Sequence, residues 1–226
     1  MVAGPLGRRA PDRRGGRVLI ERALREPTPL GDDEMPLVAA QAGIWMAEQL
    51  SPHANAFAVA HYIDLAGDLD LAHLLQAITL GLAEVDTLRL SFAERDGRLV
   101  QWLDPQRPAP TPRLLDLRGD PDPVAAALAW MDADLQGDLR AGGAGLVYCN
   151  RLLHVGDRRW FWYQRYHHLV LDGYSFAALS RRVAELYSGL CRGQAPGPSP
   201  WVAFRQVVEE YQAYEHSAAR QRDAEF

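Results

Sequence analysis

The sequence is short of cysteine, of long apolar runs and of positive charge, and each shortage closes off a class of protein. Only Cys149 and Cys191 occur in 226 residues. With no secretory segment beside them they read as reduced structural thiols rather than a disulfide. No apolar stretch reaches membrane-spanning length, which sets aside a helical membrane protein. The formal charge of -5 argues against general affinity for nucleic acid. Arg8-Arg9 and Arg13-Arg14 stand among Gly, Pro and Ala with no apolar segment behind them, so neither a Sec nor a twin-arginine signal is supported. The run Gly142-Gly143-Ala144-Gly145 lacks the Lys-Ser/Thr ending of a phosphate loop and opens no helix, so it reads as a flexible connection. What is left is an ordinary globular composition, 48% hydrophobic and 23% charged, expected in the cytoplasm.

Residues 1 to 34 differ from the rest and read as a disordered or partly helical leader, with Met35 as an alternative start. From Pro36 onward helices and strands alternate. Ala39 to Leu50 is a helix by its apolar spacing, and Ala58 to Leu65 alternates as a strand. Asp70 is placed to cap a helix running through Leu74, Ile78, Leu82 and Val85. Leu88 to Glu94 and Leu99 to Leu103 form a hairpin about Asp96-Gly97, and the Pro-rich passage 105–112 is a loop. Arg113 to Leu117 is a short strand, and Asp122-Pro123 opens a helix through Leu128, Met131 and Leu135. Two further strands follow, Leu146 to Val155 and Arg159 to Tyr166. The aromatics Trp160, Phe161, Trp162 and Tyr163 of the second are read as sheet core rather than a base-stacking platform, since no basic groove accompanies them. Gly193 to Pro200 is a linker, and Trp201 to Arg222 is a polar helix packing through Phe204, Val207, Val208 and Tyr211.

Everything else serves as scaffold for Tyr166-His167-His168-Leu169-Val170-Leu171-Asp172-Gly173. Two imidazoles leave the end of a strand, and Asp-Gly leads into a helix on which Phe176, Leu179, Val183, Leu186 and Tyr187 recur at helical spacing. Imidazole titrates near neutrality, so such a corner suits proton transfer. Neighbouring strand residues point to opposite faces, so one histidine is expected to be catalytic and the other structural. A metal reading of His167, His168 and Asp172 is weaker, because adjacent strand side chains diverge and no Cys/His cluster completes a site. Asp172, beyond an apolar segment, needs a cationic or hydrogen-bonding partner if buried, and Gly173 supplies the freedom of a sharp turn.

The full spacing His-His-x-x-x-Asp-Gly resembles the signature of the condensation domains of nonribosomal peptide synthetases, in the chloramphenicol acetyltransferase-like superfamily. Ala40-Gln41-Ala42-Gly43-Ile44-Trp45-Met46 is similar to the family's first motif. Asp86-Thr87-Leu88-Arg89-Leu90-Ser91-Phe92 is similar to the second, with Val85-Asp86 where His-Glu is usual. Leu146-Val147 stands where Pro-Leu is common. The wording of 36–41, 159–168 and 207–212 most resembles the opening condensation domain of serine-activating siderophore synthetases.

The resemblance implies an α/β chloramphenicol acetyltransferase-like sandwich, of which this length accounts for the N-terminal lobe only, a mixed sheet covered by helices. Residues 36–192 would form that lobe, and 193–226 a Gly/Pro linker and helix leading toward a missing C-terminal lobe. It implies His168 as the catalytic residue facing a tunnel between lobes, accepting a proton from the attacking amine or orienting it. His167 would be structural, Asp172 would pair with Arg89, and Gly173 would let backbone N–H groups approach the reacting centre. No cofactor or metal is bound directly. The acyl groups arrive on 4'-phosphopantetheine arms of aryl or peptidyl carrier proteins, and the remaining partners are other synthetase modules or a second lobe, with neither nucleic acid nor membrane. The donor would be an aryl acid such as 2,3-dihydroxybenzoate and the acceptor a seryl thioester. Two readings stay open: an amide-forming acyltransferase once a second lobe completes it, or a truncated, non-catalytic remnant or carrier-docking module.

Overall fold

The computed structural model describes residues 31, 33–51, 55–95, 97–107, 110–137, 139 and 147–223. The glycine run 142–145 and the segment 1–30 lie outside the described residues. Among the described residues two sheets organise the chain. The larger has four strands in the order β2 (Ala58–Ala66), β7 (Arg159–His167), β6 (Tyr148–Gly156), β5 (Arg113–Asp116). Its β2–β7 and β7–β6 pairs are antiparallel and its β6–β5 pair parallel, so the sheet is mixed. The smaller is antiparallel, in the order β1 (Glu34–Pro36), β4 (Arg98–Leu103), β3 (Leu90–Arg95).

Strand β7 is central, and its alternation distributes the core. Trp160, Trp162 and Tyr166 face one way, against α2 (Leu71–Ala83) and α4 (Gly173–Cys191). Phe161 and Tyr163 face the other, against Ala127 and Met131 of α3 (Pro123–Leu135). All four aromatics expected in the core are buried. Because both faces are covered, the strand reads as a run of large side chains rather than as polar/apolar alternation.

Local signals fix the helices. Asp70 accepts from His73 N at 3.0 Å to cap α2, and Asp122 accepts from Ala125 N at 3.0 Å to cap α3, with Pro123 at its first turn. Helices α2 and α4 approach closely at Gly81, where a Cβ would lie 2.7 Å from Val183 Cγ2. Arg182 of α4 ties the two helices through a bidentate pair with Glu84, at 2.8 and 2.9 Å, and reaches the carbonyls of Gly197 and Pro198.

Four details differ from the sequence reading. Leu88 and Arg89 belong to a 3-10 turn (Asp86–Arg89) that precedes β3, so the hairpin is shorter than expected. The C-terminal helix is two helices, α5 (Phe204–Glu215) and α6 (Ala218–Asp223), broken where Ser217 Oγ accepts from Arg220 N at 3.2 Å. On α5 Val208 is buried against Met35 and Leu90, whereas Val207 is exposed. Glu34, the last residue assigned to the leader, lies in β1 and pairs with Arg95 at 2.6 Å, while Met35 is in the core.

A polar row crosses the large sheet on its α2/α4 face. His61, Gln164 and Asn150 are register partners on β2, β7 and β6. Tyr148 Oη donates to Gln164 Oε1 at 2.8 Å, and Trp162 Nε1 donates to Asn150 Oδ1 at 2.7 Å. His61 packs against Phe176 and Tyr166, and burial holds its pKa at about 4, so the ring is neutral near pH 7.

Candidate active site

The two histidines end β7 and part company there. His167 is the last strand residue and is fully buried, while His168, the first residue of the following turn, is half-buried. Both remain tied to the sheet through their backbones, His167 N donating to Val147 O and His168 N to Phe57 O, each at 2.9 Å. Val170 N then donates to His167 O at 3.0 Å and closes the turn.

The His167 ring is held at both nitrogens. Leu169 N donates to Nδ1 at 3.1 Å, so that nitrogen carries a lone pair. Nε2 therefore carries the proton and points at Glu48 Oε1, 3.0 Å away. This tautomer is assigned from the hydrogen-bond network. The ring is neutral in this arrangement, and the contact is a buried hydrogen bond to a carboxyl rather than an ion pair. Glu48 lies on α1 (Ala39–Leu50), two turns beyond Gln41. Gln41 Nε2 donates to the Leu169 carbonyl at 2.9 Å and to Gln101 Oε1 at 2.8 Å, and Gln101 Nε2 returns a bond to Gln41 Oε1 at 2.9 Å. Sequence reasoning placed Gln41 in a motif but gave it no partner, and it missed Glu48. The available signal was a pair of polar residues seven apart on an amphipathic helix, the spacing that returns to one helix face.

His168 lies edge-on to Tyr166, with centroids 6.2 Å apart. Among the described residues its ring nitrogens make no hydrogen bond. Asp172 is the N-cap of α4, Oδ1 accepting from Ser175 N at 2.7 Å. Those bonds, from the Ser175 backbone N–H first and its hydroxyl second, hold the Asp172 carboxyl below its ordinary range, and His168 adds to the effect.

The expected pairing of Asp172 with Arg89 is not made. Arg89 Nη2 lies 2.6 Å from Asp86 Oδ1, and Asp86 Oδ2 accepts from Phe204 N at 3.1 Å. Each charge has a partner three residues away in its own turn, which needs no long loop to be closed. Gly173 is likewise not a left-handed turn residue. It is the first residue of α4, it is absent from the positive-φ glycines of the described chain, and a Cβ there would meet nothing within 4 Å. The turn itself is made by 168–170. So the structure brings His167, His168, Asp172 and Gly173 to one corner, adds Gln41 and Glu48, and leaves Arg89 to tie the 3-10 turn.

Beside this corner an apolar groove of about 370 Å³ runs between the start of α4 and the start of α5, lined by Val85, Val170, Leu171, Tyr174, Trp201 and Phe204. Among the described residues no three His, Cys, Asp or Glu side chains group so as to hold a metal ion, and no helix is long and apolar enough to cross a membrane.

Comparison with known proteins gives a consistent result. The family described as Condensation domain matches residues 32–226. Enterobactin synthase component F of Escherichia coli O157:H7 is 49% identical over 192 residues, covering 85% of this chain and 15% of that protein. Vanchrobactin synthetase VabF of Vibrio anguillarum is 35% identical over 200 residues, covering 86% of this chain and 7% of its own length. Among solved structures, the starter condensation domain of rhizomide synthetase RzmA superposes with a TM-score of 0.75 at 38% identity, over 84% of this chain and 46% of that one. A mutant of that domain has been solved with C8-CoA and Leu-SNAC, with a TM-score of 0.77. The chain thus spans under half the length of that domain and about one seventh of its curated enterobactin relative.

Proposed function

Because the chain belongs to the condensation-domain family of nonribosomal peptide synthetases, we propose that it supplies the histidine-bearing N-terminal lobe of an amide-forming acyltransferase in siderophore assembly. The observation that carries this reading is the division of labour at the end of β7. His167 is buried and held at both nitrogens, while His168 emerges half-exposed on the other face, with its ring nitrogens free of hydrogen bonds among the described residues.

The acceptor's amine nitrogen attacks the carbonyl carbon of the donor thioester. A C–N bond forms, the C–S bond breaks, and the proton lost by the amine ends on the departing thiolate. His168 accepts that proton or aims the amine lone pair. Tethering both substrates on phosphopantetheine arms of carrier proteins supplies much of the acceleration, since it turns an encounter into an oriented approach. Gly173, at the first turn of α4 in the same corner, is exposed, and a Cβ there would meet nothing within 4 Å. The 49% identity with enterobactin synthase component F favours an aryl acid donor, such as 2,3-dihydroxybenzoate, and a seryl acceptor. A tunnel needs two walls, and the second would come from the C-terminal lobe that the longer relatives possess.

The test is mass spectrometry of a seryl-loaded carrier protein after incubation with an aryl-loaded one. The 226-residue chain alone should give no N-acylated product. Joined to the second lobe of an enterobactin-type relative it should give product, and His168→Ala should strongly reduce it. Product from the isolated chain, or an undiminished yield from the His168→Ala chimera, would overturn the reading. Carrier binding without turnover in the chimera would favour a docking module.

A further inference from the structure

We propose that Gln41 and Glu48 of α1 are positioning residues that aim His168, a reading that rests on His168 as the reacting histidine. The two side chains take hold of the chain immediately before and after it. Glu48 Oε1 fixes the His167 ring at 3.0 Å, and Gln41 Nε2 fixes the Leu169 carbonyl at 2.9 Å. Leu169 N bonds back to His167 Nδ1 at 3.1 Å, so the two grips are linked across His168. With both flanking residues held, the Cα–Cβ direction of His168 is set by two fixed peptide planes, and the edge-on contact with Tyr166 limits its side-chain torsions.

The grip is anchored beyond α1. Gln41 and Gln101 exchange two amide bonds, at 2.8 and 2.9 Å, and Gln101 Nε2 also donates to Pro36 O at 2.9 Å. The corner is thereby referred to the three-stranded sheet as well as to β7. All three gripping residues, Gln41, Glu48 and Gln101, are buried.

Stability alone does not account for Glu48. Its Oε2 is buried without a hydrogen-bond partner, and a carboxyl in that position costs more than an apolar side chain of similar volume. Such a costly group is expected where it fixes a geometry that packing leaves undetermined. An acceptor in line with Nε2–H selects the tautomer in which Nδ1 receives Leu169 N. Losing the acceptor frees the ring to turn, and the Leu169 amide loses its partner with it.

The test reads order at His168 directly in the full 226-residue chain. Residual dipolar couplings of the imidazole ring are compared in wild type, Glu48→Ala, Gln41→Ala and Glu48→Gln, with Trp130 on the far face of the sheet as an internal reference. The His168 couplings should shrink toward averaging in both alanine variants while Trp130 is unchanged, and Glu48→Gln, which keeps an acceptor oxygen, should restore them. Unchanged His168 couplings in the folded alanine variants would overturn the proposal. If Glu48→Ala fails to fold, Gln41→Ala decides alone, since it leaves the Glu48–His167 bond in place. In the two-lobe chimera the two alanine variants should lower kcat about tenfold to a hundredfold with KM little changed, the scale of an ångström-level misplacement, and Glu48→Gln should restore it. Should His168→Ala leave the chimera fully active, the condensation mechanism falls, whereas the couplings still judge whether α1 orders that ring.

Discussion

Replacing Asp172 by alanine distinguishes two roles for that carboxylate. In the structure it is an exposed helix cap, with Oδ1 2.7 Å from Ser175 N at the start of α4. Removing such a cap costs about 1 kcal/mol, within a range of about 0.5–2. In a chain of this length that lowers Tm by about 2–4 °C. Breaking a buried ion pair, the role expected from sequence, would instead cost about 3–5 kcal/mol, because it strands a buried cation. Asp172→Asn keeps an acceptor oxygen and should leave the cap nearly unchanged, since Asn and Asp rank alike at that position.

The pH dependence adds a second check on Asp172. The Ser175 N–H and hydroxyl hold its carboxyl below the ordinary value of 3.8. A depressed folded-state pKa means that the carboxylate's contribution is fully present above the unfolded-state value, about 3.9, and is lost as pH falls through the lower folded value. The gap between wild type and Asp172→Ala should be steady from neutrality to about pH 5 and narrow below about pH 4. Urea unfolding followed by circular dichroism at a series of pH values measures both quantities. A loss above about 3 kcal/mol at neutral pH, or a gap that stays constant into acid, would refute the capping account.

Two further outcomes test the core. Because burial holds the His61 pKa at about 4, the folded ring stays neutral while the unfolded chain takes up a proton below about 6.5; stability should fall between those values as pH drops, and His61→Gln should flatten that limb. Parallel acid limbs for the two proteins would contradict this. Gly81→Ala forces a methyl to within 2.7 Å of Val183 Cγ2, and overpacking of about 1–3 kcal/mol should outweigh the roughly 1 kcal/mol gained in helix propensity. Adding Val183→Ala should recover part of the loss, so strict additivity of the two changes in denaturant titrations would argue against the contact.

What the sequence determined by itself is what depends on neighbours a few residues apart. Asp70 and Asp122 cap their helices because the donors they satisfy lie three residues on. Large side chains in succession declared β7 a strand covered on both faces, and the different surroundings of His167 and His168 were expected from strand alternation, although the strand ends at His167 and His168 opens the turn. The motif spacing, with Gln41 and Arg89 in register ahead of it, was enough to indicate the family. Tertiary structure alone decided which distant groups meet. Glu48 and His167 are 119 positions apart, and Gln41 and Leu169 are 128 apart. No periodicity encodes those pairs, since they exist only once folding has brought α1 to the end of β7. The same dependence misled the pairing of Asp172 with Arg89. Both residues are charged and both belong to motifs, but each had a partner within its own turn, and a contact three residues away forms without the chain entropy that a contact across the fold must overcome.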